Sequence, residues 1–193
     1  MKIVILDGTH NKKGKTLKMV KSFVKGLKSV SDPKIQNFDL LNEDIYFCKG
    51  CNSCTIKKAP VNADCTIDDV CEKIKKKALE ADVVVFATPI YEYSVSSVMK
   101  RFLERCLTLV TFRFGPAPRA KPIKGKYGVI FLTSGAPFPM NHLMGITWYP
   151  RFILRLACRL FRCQKVFSVY AGGKAELKKA RKIGIKLGRI MRT

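Results

Sequence analysis

The feature that most constrains the fold is a regular alternation of short apolar runs with longer amphipathic segments. Strand-like runs occupy residues 2–6, 82–89, 126–135 and 165–173, and 34–40 predicts an edge strand. The run DVVVFATP (82–89) is apolar almost throughout, which is typical of a central parallel strand covered on both faces. Helical spacing follows at 16–30, 67–81, 94–110, 149–163 and 175–191. This order predicts an α/β fold, a doubly wound five-stranded parallel sheet with helices on both faces.

The organisation along the chain indicates one domain over residues 1–193, because no repeat, linker or low-complexity tract interrupts it. A cysteine-rich loop, 46–66, is inserted after the second strand, and 115–125 reads as a surface loop. The sequence shows no apolar leader and no uncharged run long enough to cross a bilayer. We therefore expect a cytoplasmic protein, in which thiols stay reduced and structural disulfides are not expected.

The charge is strongly one-sided, with 37 Lys and Arg against 14 Asp and Glu, a formal net charge of +23. Such a field attracts nucleic acid, anionic membrane surfaces or phosphorylated small molecules. Basic stripes occur along the helical segments 149–163 and 175–191. We interpret both as solvated helix faces, with contact to anionic lipid, nucleic acid or an acidic electron-transfer partner as the alternative. Neither stripe has the interleaved aromatic residues that stack on single strands.

The ends of the predicted strands carry the polar residues, and ligands of such sheets bind beyond the carboxyl ends of the strands. The three segments concerned are DGTHNKKGKT, TPIYEYS and TSGAP. The first of them offers hydroxyls, an amide, a glycine and lysines at a helix start, which predicts a phosphate site. It nearly matches a triphosphate-binding loop, but five residues instead of four separate Gly8 and Gly14. No later strand ends in an acidic residue for magnesium, so we disfavour an NTPase.

The stretch FCKGCNSC contains Cys48, Cys51 and Cys54, and ten residues separate Cys54 from Cys65. Four thiolates in this pattern can enclose a [4Fe-4S] cluster. A four-thiolate zinc site and unmetallated thiols are the alternatives. The remaining cysteines are predicted to be structural because they fall at core-like positions: Cys71, Cys106, Cys158 and Cys163.

Taken in order, the phosphate loop, C-x2-C-x2-C, DCTIDD, TPIYEYSVSSVMKRFLER and TSG resemble the flavodoxin-like NADPH-dependent FMN reductases. The likeness covers residues 2 to about 135 and is greatest to their iron–sulfur flavoprotein branch. It implies a flavodoxin-like fold and an FMN-binding oxidoreductase or electron-transfer flavoprotein. The family loop usually reads G-S-P-R-x-x-G-N-T, and its arginine is missing here.

By this resemblance the FMN phosphate binds the loop after the first strand, with lysines supplying the charge of the missing arginine. The residues implied there are Thr9, Asn11, Thr16, Lys13 and Lys15, with Lys12 as a further cation. The flavin ring would lie along Pro89, Ile90 and Tyr91, with Glu92 and Tyr93 nearby. Its pyrimidine edge would face Thr133, Ser134 and Gly135. The flavin carries the chemistry in such proteins, so no catalytic side chain is predicted.

The resemblance also places a cluster on Cys48, Cys51, Cys54 and Cys65, although the gap before Cys65 is longer than the family usually has. The implied partners are NAD(P)H, a ferredoxin-like protein or a quinone, and a homodimer or homotetramer is expected. One alternative is an NAD(P)H:flavin or quinone reductase with unmetallated cysteines. An alternative of another class is a non-catalytic basic module that binds nucleic acid or an anionic membrane.

Overall fold

A computed structural model describes residues 1–54, 65–109, 121–136, 140–170 and 174–192 of the chain. Its strands are β1 (Lys2–Asp7), β2 (Lys34–Asp39), β3 (Val83–Tyr91), β4 (Ser94–Val95), β5 (Ile123–Thr133) and β6 (Cys163–Tyr170). Its helices are α1 (Lys15–Lys28), α2 (Val70–Glu80), α3 (Ser97–Arg105), α4 (Met140–Leu143), α5 (Trp148–Leu160) and α6 (Lys174–Ile190). A 3₁₀ turn, Cys106–Leu109, continues α3.

The main sheet has the strand order β2-β1-β3-β5-β6, and all five strands are parallel. The short strand β4 pairs with β3 in the antiparallel direction. This confirms the predicted fold class, with β3 at the centre and β2 at an edge. The reversal of strand order on either side of β1 and β3 opens the crevice in which ligands of such sheets bind.

Two apolar layers cover the sheet, one on each face, which explains why its inner strands are apolar throughout. Alternate residues such as Ile5 and Val85 pack with α1 and α6. The intervening ones, such as Leu6 and Phe86, pack with α2, α3 and α5.

The structure corrects the prediction of one helix over 94–110. Residues 94–95 form β4, and α3 begins only at Ser97. Its N-cap is Ser96, whose hydroxyl accepts from the Met99 N–H. Ser96 is buried and hydrogen-bonded to the Thr88 hydroxyl, and this contact fixes where the helix begins. The spacing of apolar residues in the sequence does not reveal it.

The loop prediction for 115–125 is corrected at its end, because 123–125 already belong to β5. Residues 115–120 and much of the cysteine-rich loop, 55–64, lie outside the described residues. The single domain over residues 1–193 stays a prediction. Among the described helices, none combines the length and the apolar character needed to cross a membrane.

Candidate functional site

The register of the parallel strands brings the three predicted polar segments to one edge of the sheet. Asp7 is the partner of Ala87, and Pro89 is the partner of Thr133. Between these strand ends lies a cleft of about 240 Å³. Its lining is Thr9, Asn11, Gly14, Lys15, Thr16, Pro89, Ile90, Tyr91, Thr133, Ser134 and Gly135. The predicted cofactor-binding residues therefore all line this cleft, except Lys13, Glu92 and Tyr93. Gly14 also lines the cleft, although it was not predicted to.

The first turn of α1 opens onto this cleft without a side-chain cap. Its N-cap is Gly14, no acidic residue lies in the turn, and the Gly14 N–H donates to the Asn11 carbonyl at 3.0 Å. The Asn11 side chain accepts from the Lys13 N–H at 2.9 Å, which folds the loop back towards the helix. The amide groups of an uncapped helix start, together with the helix dipole, favour an anion at this point.

The lysines of this loop have different roles. Lys12 Nζ donates to Asp39 at 2.5 Å, to Asp7 at 3.2 Å and to the Thr9 carbonyl at 3.0 Å. Burial lowers the pKa of Lys12, but its hydrogen bonds to Asp39 and Asp7 outweigh this and raise the pKa above its ordinary value. Because its charge is already neutralised, the exposed Lys13 and Lys15 are the loop cations available to a ligand.

Buried hydroxyls tie the loop to the neighbouring strands. Thr16 Oγ1 lies 2.7 Å from Thr133 Oγ1, so the start of α1 is joined to the end of β5. The Thr9 hydroxyl donates to Asp7 Oδ1 at 2.6 Å, and the Thr9 N–H donates to the same oxygen at 2.9 Å. Thr9 therefore holds the shape of the loop and can only accept from a ligand, whereas Thr16 can change partners.

The turn between β3 and β4 is strained. Glu92 and Tyr93 have φ angles of +45° and +56°, and the pairing of Tyr91 with Ser94 makes them a two-residue hairpin turn. Residues with side chains are uncommon in this left-handed region, which costs about 1 kcal/mol or more for each of them. The turn holds the half-exposed Tyr91 ring at the cleft, with its centroid 5.9 Å from that of His10.

A buried contact that the sequence analysis missed fixes the phosphate loop to this hairpin. Ser96 Oγ donates to the Gly8 carbonyl at 2.6 Å, and the Ser96 N–H donates to Thr88 Oγ1 at 3.0 Å. Neither hydroxyl lies on a periodic pattern, so no sequence signal pointed to the pair.

The predicted metal ligands lie around a second, smaller pocket of about 70 Å³. The cysteines on its wall are Cys48, Cys51, Cys54 and Cys65. Hydrogen bonds from Ser53 and Thr66 lower the pKa of Cys51 to about 7. Burial raises the pKa of Cys54, and the neighbouring cysteines raise it further. Within the described residues, no three His, Cys, Asp or Glu side chains converge closely enough to hold a single metal ion.

A buried ion pair closes the described ends of the cysteine loop. Arg105 binds both Asp69 oxygens, at 2.5 and 3.1 Å, and donates to the carbonyls of Tyr46 and Ile67 at 3.0 Å each. Asp69 in turn accepts from the N–H groups of Tyr46 and Cys71, both at 2.9 Å. Burial alone would raise the pKa of Asp69, but the Arg105 hydrogen bond and those two N–H groups hold it below its usual value.

The sequence analysis missed Arg105, although a signal was present. Arg105 follows Phe102 by three residues and so falls on the apolar side of its helix, where an arginine needs a buried partner. The four cysteines predicted to be structural are buried, which confirms their placement: Cys71, Cys106, Cys158 and Cys163.

Comparisons with known proteins agree with this geometry. The family model described as NADPH-dependent FMN reductase matches residues 1–145. An iron-sulfur flavoprotein from Archaeoglobus fulgidus is 30% identical over 140 residues, which cover 71% of this chain and 57% of that protein. A second one from the same organism is 29% identical over 105 residues, 54% of this chain and 48% of its own length. The chain thus spans about half the length of these curated relatives.

Solved structures show the same fold at low identity. An azoreductase from Bacillus anthracis has a TM-score of 0.73 at 15% identity, with 96% of this chain and 99% of that one covered. An FMN-dependent NADH-azoreductase from the same species, in complex with FMN, has a TM-score of 0.71 at 13% identity and covers 100% and 99%. Since the family match extends over three strand ends that form the cleft, the chain belongs to the NADPH-dependent FMN reductase family.

Proposed function

We propose that the chain is an FMN-dependent oxidoreductase whose FMN occupies the cleft at the strand ends. The observation that carries the proposal is the uncapped start of α1, which opens into a cleft formed by three strand ends. The family match and a structural neighbour solved with FMN support it. The phosphate belongs at the α1 start, the ring along 89–91, and its pyrimidine edge at 133–135.

The residues of the cleft bind and orient the cofactor, and the bound flavin supplies the hydride and electron chemistry. Lys15 and Thr16 would hold the phosphate together with free amide groups of the first turn. Pro89 lacks an N–H and fixes the backbone at the cleft, and the Tyr91 side chain would contact a flavin ring bound there. Thr133 positions Thr16 through their shared hydrogen bond. NAD(P)H as electron donor is consistent with the description of the family.

We further assign a [4Fe-4S] cluster to Cys48, Cys51, Cys54 and Cys65. The donor set fits, because four thiols line one pocket and thiolates are the ligands such clusters take. Arg105 also lines this pocket, and its buried Nε–H has no hydrogen-bond partner among the described residues, so an anionic occupant would suit it. The curated relatives that match are called iron-sulfur flavoproteins. The cluster would supply one-electron transfer.

A titration with FMN and riboflavin tests the cleft. Riboflavin lacks the phosphate, so we expect FMN to bind about 100-fold more tightly, as followed by quenching of flavin fluorescence. Thr16→Val and Lys15→Gln should each weaken FMN about tenfold and leave riboflavin affinity unchanged. Equal affinities for the two flavins, or no binding of either, would reject the proposal. The latter result would favour the non-catalytic basic module.

Anaerobic reconstitution with iron and sulfide tests the cysteine pocket. We expect a broad visible absorbance with equal amounts of iron and sulfide, lost in Cys48→Ser and in Cys65→Ser. Cys158→Ser is the matched control, because that thiol is buried in the core away from the pocket and should not affect loading. Retention of zinc in place of iron would instead indicate a zinc site. Reduction of FMN by a protein with no bound iron would indicate unmetallated thiols.

The electron acceptor, the homodimer or homotetramer and the cytoplasmic location stay predictions. The matched regions cover only 57% and 48% of the two curated iron-sulfur flavoproteins, so their names assign no acceptor to this chain.

A further inference from the structure

Helices α1 and α6 lie side by side on one face of the sheet and combine their basic residues into one surface. In the sequence these residues form separate stripes more than a hundred positions apart. The α1–α6 basic face, as we name it, consists of ten exposed cations: Lys18, Lys21, Lys25, Lys28, Lys178, Lys179, Arg181, Lys182, Lys186 and Arg189.

Glycines at the contact explain why the two helices approach so closely. A Cβ at Gly26 would overlap the Arg181 carbonyl oxygen, and one at Gly184 would overlap the Phe23 carbonyl oxygen. Gly188 faces Val30 in the next turn. The Ser22 hydroxyl donates to the Leu177 carbonyl at 2.8 Å, and further along both helices Gly188 faces Val30. The helices therefore run parallel, and their cations form two adjacent rows.

The basic face carries almost no compensating negative charge. Helix α1 contains no acidic residue, and α6 contains only Glu176 in its first turn. Among the described residues, the ion pairs lie elsewhere and none includes one of the ten cations. Rows of like charge held together repel each other, so a polyanion that spans both rows would relieve the repulsion.

The length of the face suits an extended polyanion better than a small anion. At 14 and 17 residues, the helices are about 21 and 25 Å long. The α1 lysines fall at i, i+3, i+7 and i+10, and so line one side of the helix. A nucleic acid duplex of this length presents about fifteen phosphates.

We propose that the α1–α6 basic face binds the phosphate backbone of nucleic acid without sequence preference. An anionic bilayer fits it less well, because helices that bind membranes insert apolar side chains. The exposed aromatic residues Trp148 and Phe152 lie on α5, which packs on the other side of the sheet. Helices α1 and α6 themselves expose no aromatic ring, because Phe23 is buried and the Phe167 ring of β6 lies under Lys186. Binding therefore depends on phosphate contacts and not on base stacking.

Fluorescence anisotropy with a labelled 20-base-pair duplex of random sequence tests the proposal on the full chain. We expect micromolar binding at 100 mM NaCl and a slope of log K against log salt of about −4.5, for roughly five phosphate contacts. The variant Lys21→Gln/Lys25→Gln/Lys182→Gln/Arg189→Gln should weaken binding at least tenfold and reduce the slope to about −1.

A matched variant removes the same charge elsewhere: Lys73→Gln/Lys76→Gln/Arg155→Gln/Arg159→Gln, on helices that cover the opposite side of the sheet. It should bind the duplex within about threefold of the parent chain. Equal losses in both variants would show that only net charge matters, and would overturn the proposal. Absence of duplex binding at 50 mM NaCl, or tighter binding to phosphatidylserine vesicles that the duplex does not displace, would also overturn it. Far-UV circular dichroism and FMN affinity check that each variant is folded.

Discussion

Lys126 is a charged side chain inside the buried part of β5. It is 3% exposed, and its Nζ donates to the carbonyls of Ala78 and Leu79 at 2.8 and 2.5 Å, at the end of α2. It thereby supplies hydrogen bonds to a helix end that has no other described cap. Burial lowers the pKa of Lys126 from 10.5 to about 8. Lys126 thus replaces a C-cap that the α2 sequence lacks.

This pKa gives a prediction for stability against pH. Between pH 8 and 10.5 the unfolded chain holds a proton on Lys126 that the folded chain lacks, so raising the pH through this window favours the folded state. The free energy of unfolding should rise by at most about 3 kcal/mol from this group. Urea unfolding of the parent chain and of Lys126→Met, compared at pH 7.5 and 10.5, isolates the effect from other titrating residues. A difference between the two proteins that does not change with pH would contradict it.

At the scale of elements, the pair Arg105–Asp69 joins α3 to the start of α2 and closes the cysteine loop between them. Both side chains are at most 2% exposed, so removing one charge leaves the other buried and unpaired. We predict that Asp69→Asn lowers the free energy of unfolding by about 3 kcal/mol. The exposed neighbour Asp68 offers a matched control, because Asp68→Asn should change the free energy of unfolding by less than about 0.5 kcal/mol. Similar losses in the two variants would show that the pair does not hold the loop.

The contact between α1 and α6 predicts that two chemically identical substitutions in α6 have different effects. In Gly184→Ala the new methyl group meets backbone, the Phe23 carbonyl oxygen, which cannot move without displacing a helix. In Gly188→Ala it meets the Val30 and Ser31 side chains, which can change rotamer. Both changes gain about 1 kcal/mol of helix propensity. We expect the melting temperature to fall by 10 °C or more for Gly184→Ala and by less than about 4 °C for Gly188→Ala. Equal shifts would mean that the helices are not packed backbone to backbone.

The elements differ in how far the sequence could predict them. Strands such as β3 were predictable because burial on both faces leaves an unbroken apolar run, and the register of parallel strands then places the loop ends together. The hairpin at Glu92 and Tyr93 could not be predicted, because its turn lacks the glycine or asparagine that usually marks left-handed residues. The apolar side of α3 indicates that Arg105 is buried, but not which groups it binds. The partners of Arg105 and Lys126 are distant in sequence, and only the folded chain brings them near.

For the whole molecule, the net charge of +23 predicts how stability responds to salt. Self-repulsion of a chain with so many uncompensated cations disfavours the compact state, and salt screens it as the Debye length falls from about 30 Å at 0.01 M to about 8 Å at 0.15 M. The free energy of unfolding should therefore increase by about 1 kcal/mol or more between 10 and 150 mM NaCl. Urea unfolding measures it, with NaCl and KCl compared to exclude a specific ion.

The α1–α6 basic face should contribute most of this increase, because its ten cations are crowded onto two touching helices. The fourfold glutamine variant in that face reduces the net charge from +23 to +19, since four cations are removed. We expect it to be more stable than the parent chain at 10 mM NaCl and to gain less from added salt. The matched fourfold variant on α2 and α5 has the same net charge but removes more dispersed cations, so its salt response should stay closer to that of the parent. An identical response in both variants would mean that repulsion acts through net charge alone and that the crowding of the two helices carries no extra penalty.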